Sequence, residues 1–154
     1  MELSADMQRV VSEQRLGFVA TVTHDGRPSV SPKGTTSVWD ERHLMFADIH
    51  SPGTVENLAS NPNVEINVVD PIARKGYRFR GTATVYASGA EFDRGLARLR
   101  ELGSTIAAER VRSIVVIEIT DAAPLVSPAY DAGVSEDEVS ERWLLHHTEL
   151  RRGH

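Results

Sequence analysis

Three short stretches of the chain hold the residues best suited to chemistry. The first is Ser31-Pro32-Lys33-Gly34-Thr35-Thr36. A lysine flanked by small hydroxyl residues suits an anion, because the ammonium supplies charge and the hydroxyls supply oriented donors. Gly34 would let a ligand approach the backbone closely. Taken alone, the stretch reads first as an ordinary solvent-facing strand. The second is Asp48-Ile49-His50-Ser51-Pro52-Gly53-Thr54. A helix start presents free N–H groups and partial positive charge, which suits phosphate, and Ser51 and Thr54 add hydroxyls. The plainer reading is a capped helix. The third is Arg74-Lys75-Gly76-Tyr77, two cations before a glycine, which can meet phosphate or simply form a polar hairpin loop.

These stretches need elements to hold them. Ser4 can cap a helix that runs to about Leu16, with Gly17 ending it. Phe18, Ala20 and Val22 alternate with Val19, Thr21 and Thr23, the period of a strand. Asp25-Gly26 is a hairpin turn signal. The return strand is expected from Pro28 to about Val38, with Pro32 marking an edge or a bulge. A third strand covers Leu44 to Asp48. Ser51 and Pro52 then open a helix as cap and first-turn proline, and Asn61-Pro62 stops it.

Val64, Ile66 and Val68 make the next strand. After a loop from Asp70 to Gly76, a longer strand puts Tyr77, Phe79, Gly81, Ala83 and Val85 on one face, with Arg78, Arg80, Thr82, Thr84 and Tyr86 on the other. That two-residue period predicts an antiparallel strand with one wet side. Phe92, Leu96, Leu99 and Leu102 have helical spacing. Ile114 to Ile117 is apolar on both faces and predicts a central strand. Residues 121 to 135 read as a loop. Ser135 caps a last helix to about Leu150, with Val139, Trp143, His147 and Leu150 on one side. The sum is an α+β fold: six antiparallel strands in a split β-barrel with flanking helices, as one domain over residues 1–154.

Composition narrows the function classes. The formal net charge of −5 argues against nucleic acid as a partner. The cluster of Arg74, Lys75, Arg78 and Arg80 reads as a solvated strand face. There is no cysteine, so disulfides and thiolate metal sites are excluded. His146, His147 and His154 lack metal-ligand spacing with any acidic partner, so no metal site is expected. No glycine-rich dinucleotide motif, phosphate loop or serine-hydrolase elbow is present. Met1 to Arg15 has no apolar signal core, and no stretch is long enough to span a membrane. A cytoplasmic location and no membrane partner are the expectations.

Further phrases join the three stretches: Ala20-Thr21-Val22, Asp25-Gly26-Arg27-Pro28, Phe46-Ala47-Asp48, Asn57-Leu58 before Asn61-Pro62, and Arg74 to Arg78 before Gly81. In this order they resemble the FMN-binding split barrel of the pyridoxamine 5′-phosphate oxidase-like family, over about residues 5 to 120. Carried over by position, the resemblance implies that Ser31, Lys33, Gly34, Thr35 and Thr36 line the flavin from the second strand. It implies Asp48, His50, Ser51 and Thr54 at the third-strand exit and helix start, which with the second strand grip the FMN phosphate and ribityl chain in that family, and Lys75 and Gly76 near the ring edge. Loop residue Tyr130 is expected near the substrate, since a loop tyrosine can stack on a flavin or cap the substrate space.

The chain also departs from the family pattern. Pro52, Gly53 and Thr54 stand where true pyridoxamine phosphate oxidases have an arginine-lysine pair at the helix start. The substrate-binding tail with tryptophan and arginine is missing too. Pyridoxamine 5′-phosphate is therefore not the expected substrate. The implied function is an FMN-dependent oxidoreductase, or at least an FMN-binding protein, acting as a homodimer on a small molecule. A deazaflavin-dependent reductase of the same fold, or a nonenzymatic flavin-storage or redox-sensing module, is the alternative. No side chain stands out as a proton donor to substrate, so the catalytic residues are unassigned.

Overall fold

The computed structural model describes residues 1–154. Helix α1 (Ala5–Gln14) begins as expected, with the Ser4 hydroxyl accepting from the Met7 N–H. It is ended by Arg15 in the left-handed region (φ 55°), not by Gly17. Gly17 instead opens strand β1 (Gly17–Val22). A Cβ there would stand 2.5 Å from Thr36 Oγ1, so close packing is what requires a glycine.

The return strand is shorter than expected. It divides at Gly34–Thr36 into β2 (Pro28–Lys33) and β3 (Ser37–Asp40). Two hydroxyls turn the chain there: Thr36 Oγ1 donates to Lys33 O at 2.8 Å, and Thr35 Oγ1 accepts from the Ala47 N–H at 2.8 Å. Strand β4 (His43–Asp48), helix α2 (Pro52–Ser60), strand β5 (Asn63–Asp70) and strand β6 (Lys75–Tyr86) follow. Between β5 and β6, Asp70 Oδ1 accepts from the N–H groups of Ile72 and Ala73, which closes a tight turn.

Helix α3 (Ala90–Glu101) precedes the longest strand, β7 (Ser113–Val126). This corrects the loop expected from residue 121, because Asp121 to Val126 pair with Arg80 to Lys75 of β6. A short 3₁₀ turn, Pro128–Ala132, leads to helix α4 (Glu136–Arg152), capped by Ser135 as expected.

All pairings are antiparallel, in one open sheet of seven strands ordered β2-β1-β5-β6-β7-β4-β3. The expected six become seven because β2 and β3 separate to opposite edges. Both edges are blunted. Strand β2 carries Pro28 and Pro32, which lack a donor N–H. Along β3 the carbonyls of Val38 and Trp39 accept from Arg98 Nε (3.2 Å) and Arg94 Nη2 (3.4 Å) of α3.

Two apolar clusters share the central strands. Leu44, Phe46, Val115, Ile117 and Phe79 face the barrel interior, under Val10 and Val11 of α1. Met45, Ala47, Ile114 and Val116 face the other way, against Leu99 of α3. The doubly apolar run at 114–117 is thus central, as expected, because each face has its own cover. Helix α4 is different. Only Val139 is buried in it, and Leu150, expected on its packed side, is 48% exposed.

Candidate functional site

The side chains named from the sequence divide between two ends of the sheet. Lys33 ends β2, and its side chain is only 5% exposed. Its Nζ donates to Ser31 Oγ at 2.9 Å and to Ser51 Oγ at 2.5 Å, and lies 5.8 Å from the centroid of the Phe46 ring. No carboxylate forms an ion pair with it. Burial pushes its pKa down from 10.5, opposed in part by the charge of Asp48. An ammonium held by two hydroxyls still has one proton unassigned. Each hydroxyl, having accepted, still has its own proton to donate.

Ser51 therefore works differently from expectation. Its side chain makes no capping bond to α2 and is spent on Lys33. Its backbone N–H donates to Asp48 Oδ1 at 3.0 Å, and Ser113 Oγ donates to Asp48 Oδ2 at 3.3 Å. Asp48 is 4% exposed and sits behind the lysine-serine pair, fixing Ser51 without lining open space. Thr54 is also buried and is not among the residues lining the Lys33 cleft.

Lys33, Gly34, Thr35, Thr36, His50 and Ser51 line one cleft of about 510 Å³. Its opposite wall was not anticipated from the sequence. Arg15 and the turn after α3, with Gly103, Ser104, Thr105 and Ile106, complete it. The available signal was Gly103-Ser104-Thr105, a small hydroxyl-rich run just past an amphipathic helix. Nothing local tied it to Lys33. No Asp or Glu lines this cleft, although the chain holds 22 of them.

Lys75, Gly76 and Tyr130 lie at the other end. Asp48 pairs with Ser113 at the start of β7, whereas Lys75 pairs with Val126 at its end. The Lys75 ammonium already has partners. It donates to Glu136 Oε2 at 2.7 Å, which raises its pKa, and lies 4.4 Å from the Tyr130 ring centroid. Gly76 is required by the fold: a Cβ there would stand 2.0 Å from Val68 O. Tyr130 Oη donates to Ala73 O at 2.6 Å. Beside it the Arg74 guanidinium stacks on Trp143 at 3.4 Å, which docks α4. Within one chain these residues clasp the C-terminal segment and do not join the Lys33 cleft. Tyr130→Phe keeps the ring and removes the Ala73 bond, so a loss of about 1 kcal/mol is expected. A thermal melt checks it; an unchanged melting point would remove the hydroxyl from the clasp.

Sequence and fold comparisons place this arrangement. A family model described as pyridoxamine 5′-phosphate oxidase matches residues 3–123. The chain belongs to the pyridoxamine 5′-phosphate oxidase-like family. The matched span holds the whole Lys33 cleft and stops short of Tyr130 and α4. Solved structures of similar fold include HupZ of Group A Streptococcus, 26% identical with a TM-score of 0.72, covering 81% of this chain and 95% of that one. An F420 reductase is 21% identical with a TM-score of 0.63, over 79% and 98% of the two chains. HutZ, the heme storage protein of Vibrio cholerae, is 20% identical with a TM-score of 0.61, over 82% and 95%. The last two likenesses show the fold alone. A search of curated proteins found no match. No helix is long and apolar enough to cross a membrane.

Proposed function

We propose that the protein binds FMN in the Lys33 cleft and acts, as a homodimer, as an oxidoreductase on a small molecule. One observation carries the reading: a cleft without acids, in a chain of net charge −5, built around an ammonium that has hydroxyls but no carboxylate for partners. That donor set suits a phosphate monoester. Lys33 would supply the charge and Ser51 would donate beside it, while Ser31, which does not line the cleft, would hold the ammonium and Asp48 would keep Ser51 in place. Thr35 is already tied to β4 and Thr36 to Lys33 O, so both hold the turn's shape. When bound, the flavin supplies the electron transfer, and the protein supplies anchoring and orientation.

The dimer rests on a second observation. In the β1–β2 hairpin Phe18 pairs with Pro32, Ala20 with Val30 and Val22 with Pro28. All six share one outward face, on which Phe18 is 45% and Val30 64% exposed. An apolar sheet face of this kind favours a second copy across a two-fold axis. Pro32 also lines the cleft, so a partner on this face covers the cleft mouth. Lys75, Gly76 and Tyr130 can reach a cofactor at Lys33 only across such an interface.

A deazaflavin reductase is the second reading. It is favoured by the continuation of the cleft past Lys33 to Arg15, as a longer acidic cofactor tail requires. The absorption spectrum of the purified protein and the mass of its released cofactor separate the two. Titration of apo protein with FMN, riboflavin and haem then ranks the ligands. FMN is expected to bind tightest, with a dimer by light scattering at micromolar concentration. A deazaflavin mass, preference for haem, or a monomer with tightly held FMN would each overturn the corresponding part. Iodide quenching of the bound flavin distinguishes an open ring, as an oxidoreductase needs, from the shielded ring of a storage or sensing module.

A further inference from the structure

We infer that Arg15 and the Ser104-Thr105 turn form a second anion subsite in the cleft, for the carboxylate or phosphate of an acidic group distinct from the one held at Lys33. The inference rests on the flavin reading of Lys33. Arg15 closes α1 and lines the cleft. Its Nη1 donates to Leu102 O at 2.9 Å and its Nε to Ser12 O at 3.3 Å. These two bonds fix the guanidinium between the ends of α1 and α3, yet leave Nη2 without a partner. No carboxylate pairs with Arg15, whereas Arg9, on the same helix, is held by both Asp6 and Glu13.

The hydroxyls of the turn face the same space. Ser104 Oγ accepts from the Ile106 N–H at 3.3 Å, which leaves its proton to donate. Thr105 is exposed and lines the cleft with no internal hydrogen bond to its hydroxyl. A planar guanidinium with a free edge, two hydroxyl donors and no acid nearby is a recognition set for a carboxylate or phosphate. The neighbouring wall of Leu99, Leu102 and Ile106 is apolar, so the group carrying the charge meets hydrocarbon on one side. The anion has two possible sources: a separate acidic substrate beside the flavin, or an acidic tail on the cofactor itself.

The test uses FMN-loaded protein, in which the cofactor phosphate already occupies Lys33, and inorganic phosphate as the probe. Calorimetry is expected to show saturable phosphate binding, weakened tenfold or more in Arg15→Gln and partly restored in Arg15→Lys. FMN affinity should stay within twofold of the parent in Arg15→Gln. Thr105→Val, which breaks no internal bond, should weaken phosphate without lowering the melting point. Phosphate binding by the loaded protein assigns the subsite to a separate ligand. If instead Arg15→Gln weakens only a deazaflavin with an acidic tail, the anion belongs to the cofactor. The subsite is overturned if neither probe responds to Arg15→Gln, or if Arg15→Gln loses FMN selectively over riboflavin. Should the parent bind no flavin, the reading of Lys33 fails. Phosphate titration of apo Lys33→Ala and Arg15→Gln then still decides whether Arg15 holds an anion.

Discussion

Gly76→Ala is expected to lower the melting point by roughly 6–12 °C, with or without flavin. The added methyl would meet Val68 O at 2.0 Å and Val69 Cα at 2.7 Å. Both belong to the backbone of β5, and backbone cannot swing away as a flexible side chain would. Relief requires β5 and β6 to move apart at the place where Asp70 and Arg74 turn the chain. Overpacking of this kind costs about 3 kcal/mol, and in a domain of this size each kcal/mol shifts the midpoint by about 2–4 °C. Gly34→Ala is the contrasting variant, since a Cβ there meets nothing within 4 Å. Its fold should be unchanged, so any effect it has on FMN is an effect in the cleft. Melts of both variants, with and without FMN, decide the matter. If Gly76→Ala melts like the parent but loses its flavin, the glycine serves the ring edge and not the ladder.

Lys33→Ala is expected to weaken FMN binding by about 1.5–3 kcal/mol, the value of a charge-assisted hydrogen bond to phosphate. That is about 10- to 150-fold in Kd, while riboflavin, without the phosphate, should bind nearly as before. The empty protein should respond in the opposite sense. Lys33 is buried with no carboxylate in ion-pair contact, and burial lowers its pKa in the folded chain below 10.5 despite the nearby charge of Asp48. The cost of holding the charge is therefore full below the folded pKa and fades as pH rises towards the unfolded value. Apo Lys33→Met should be more stable than the apo parent at neutral pH. The difference should shrink in the alkaline range between the two pKa values. Bound phosphate should restore the ammonium and remove most of that pH dependence. Chemical denaturation across the range, with and without FMN, measures all of this. Equal FMN and riboflavin losses in Lys33→Ala would place the phosphate elsewhere.

The elements that were legible in the sequence are those whose signals are local. The alternation from Tyr77 to Val85, the doubly apolar run at Ile114–Ile117 and the Ser135 cap each depend on neighbours a few residues away. What escaped depends on distant partners. The break between β2 and β3 is enforced by the Thr35 hydroxyl reaching the Ala47 N–H, which no periodicity contains. The far half of β7 carries Asp121 and Pro124 and so reads as a loop. It can be a strand because β4 begins at His43, opposite Glu118, and leaves that half bordered by β6 alone, where a missing N–H is tolerated. The cleft divides the same way. Its Lys33 wall lies on one run of sequence, whereas Arg15 and Ser104 come together only because α1 and α3 end at the same place. Lys75 and Gly76 were drawn to the site by motif order. Within one chain, Glu136 holds the Lys75 ammonium and the Val68 carbonyl requires the glycine at 76.

The treatment of the two sheet edges reaches beyond the cleft. An open sheet is a template, and a bare border strand invites a neighbour to continue the ladder into a ribbon. Here one border lacks donors at Pro28 and Pro32, and the other has its Val38 and Trp39 acceptors occupied by arginines. Growth by strand addition is thus obstructed in both directions. The apolar hairpin face at Phe18 and Val30 stays exposed, so the proposed dimer would form broadside. Contact through a face ends once that face is covered. A chain that paired through that face would thereby be guarded against running on into fibres.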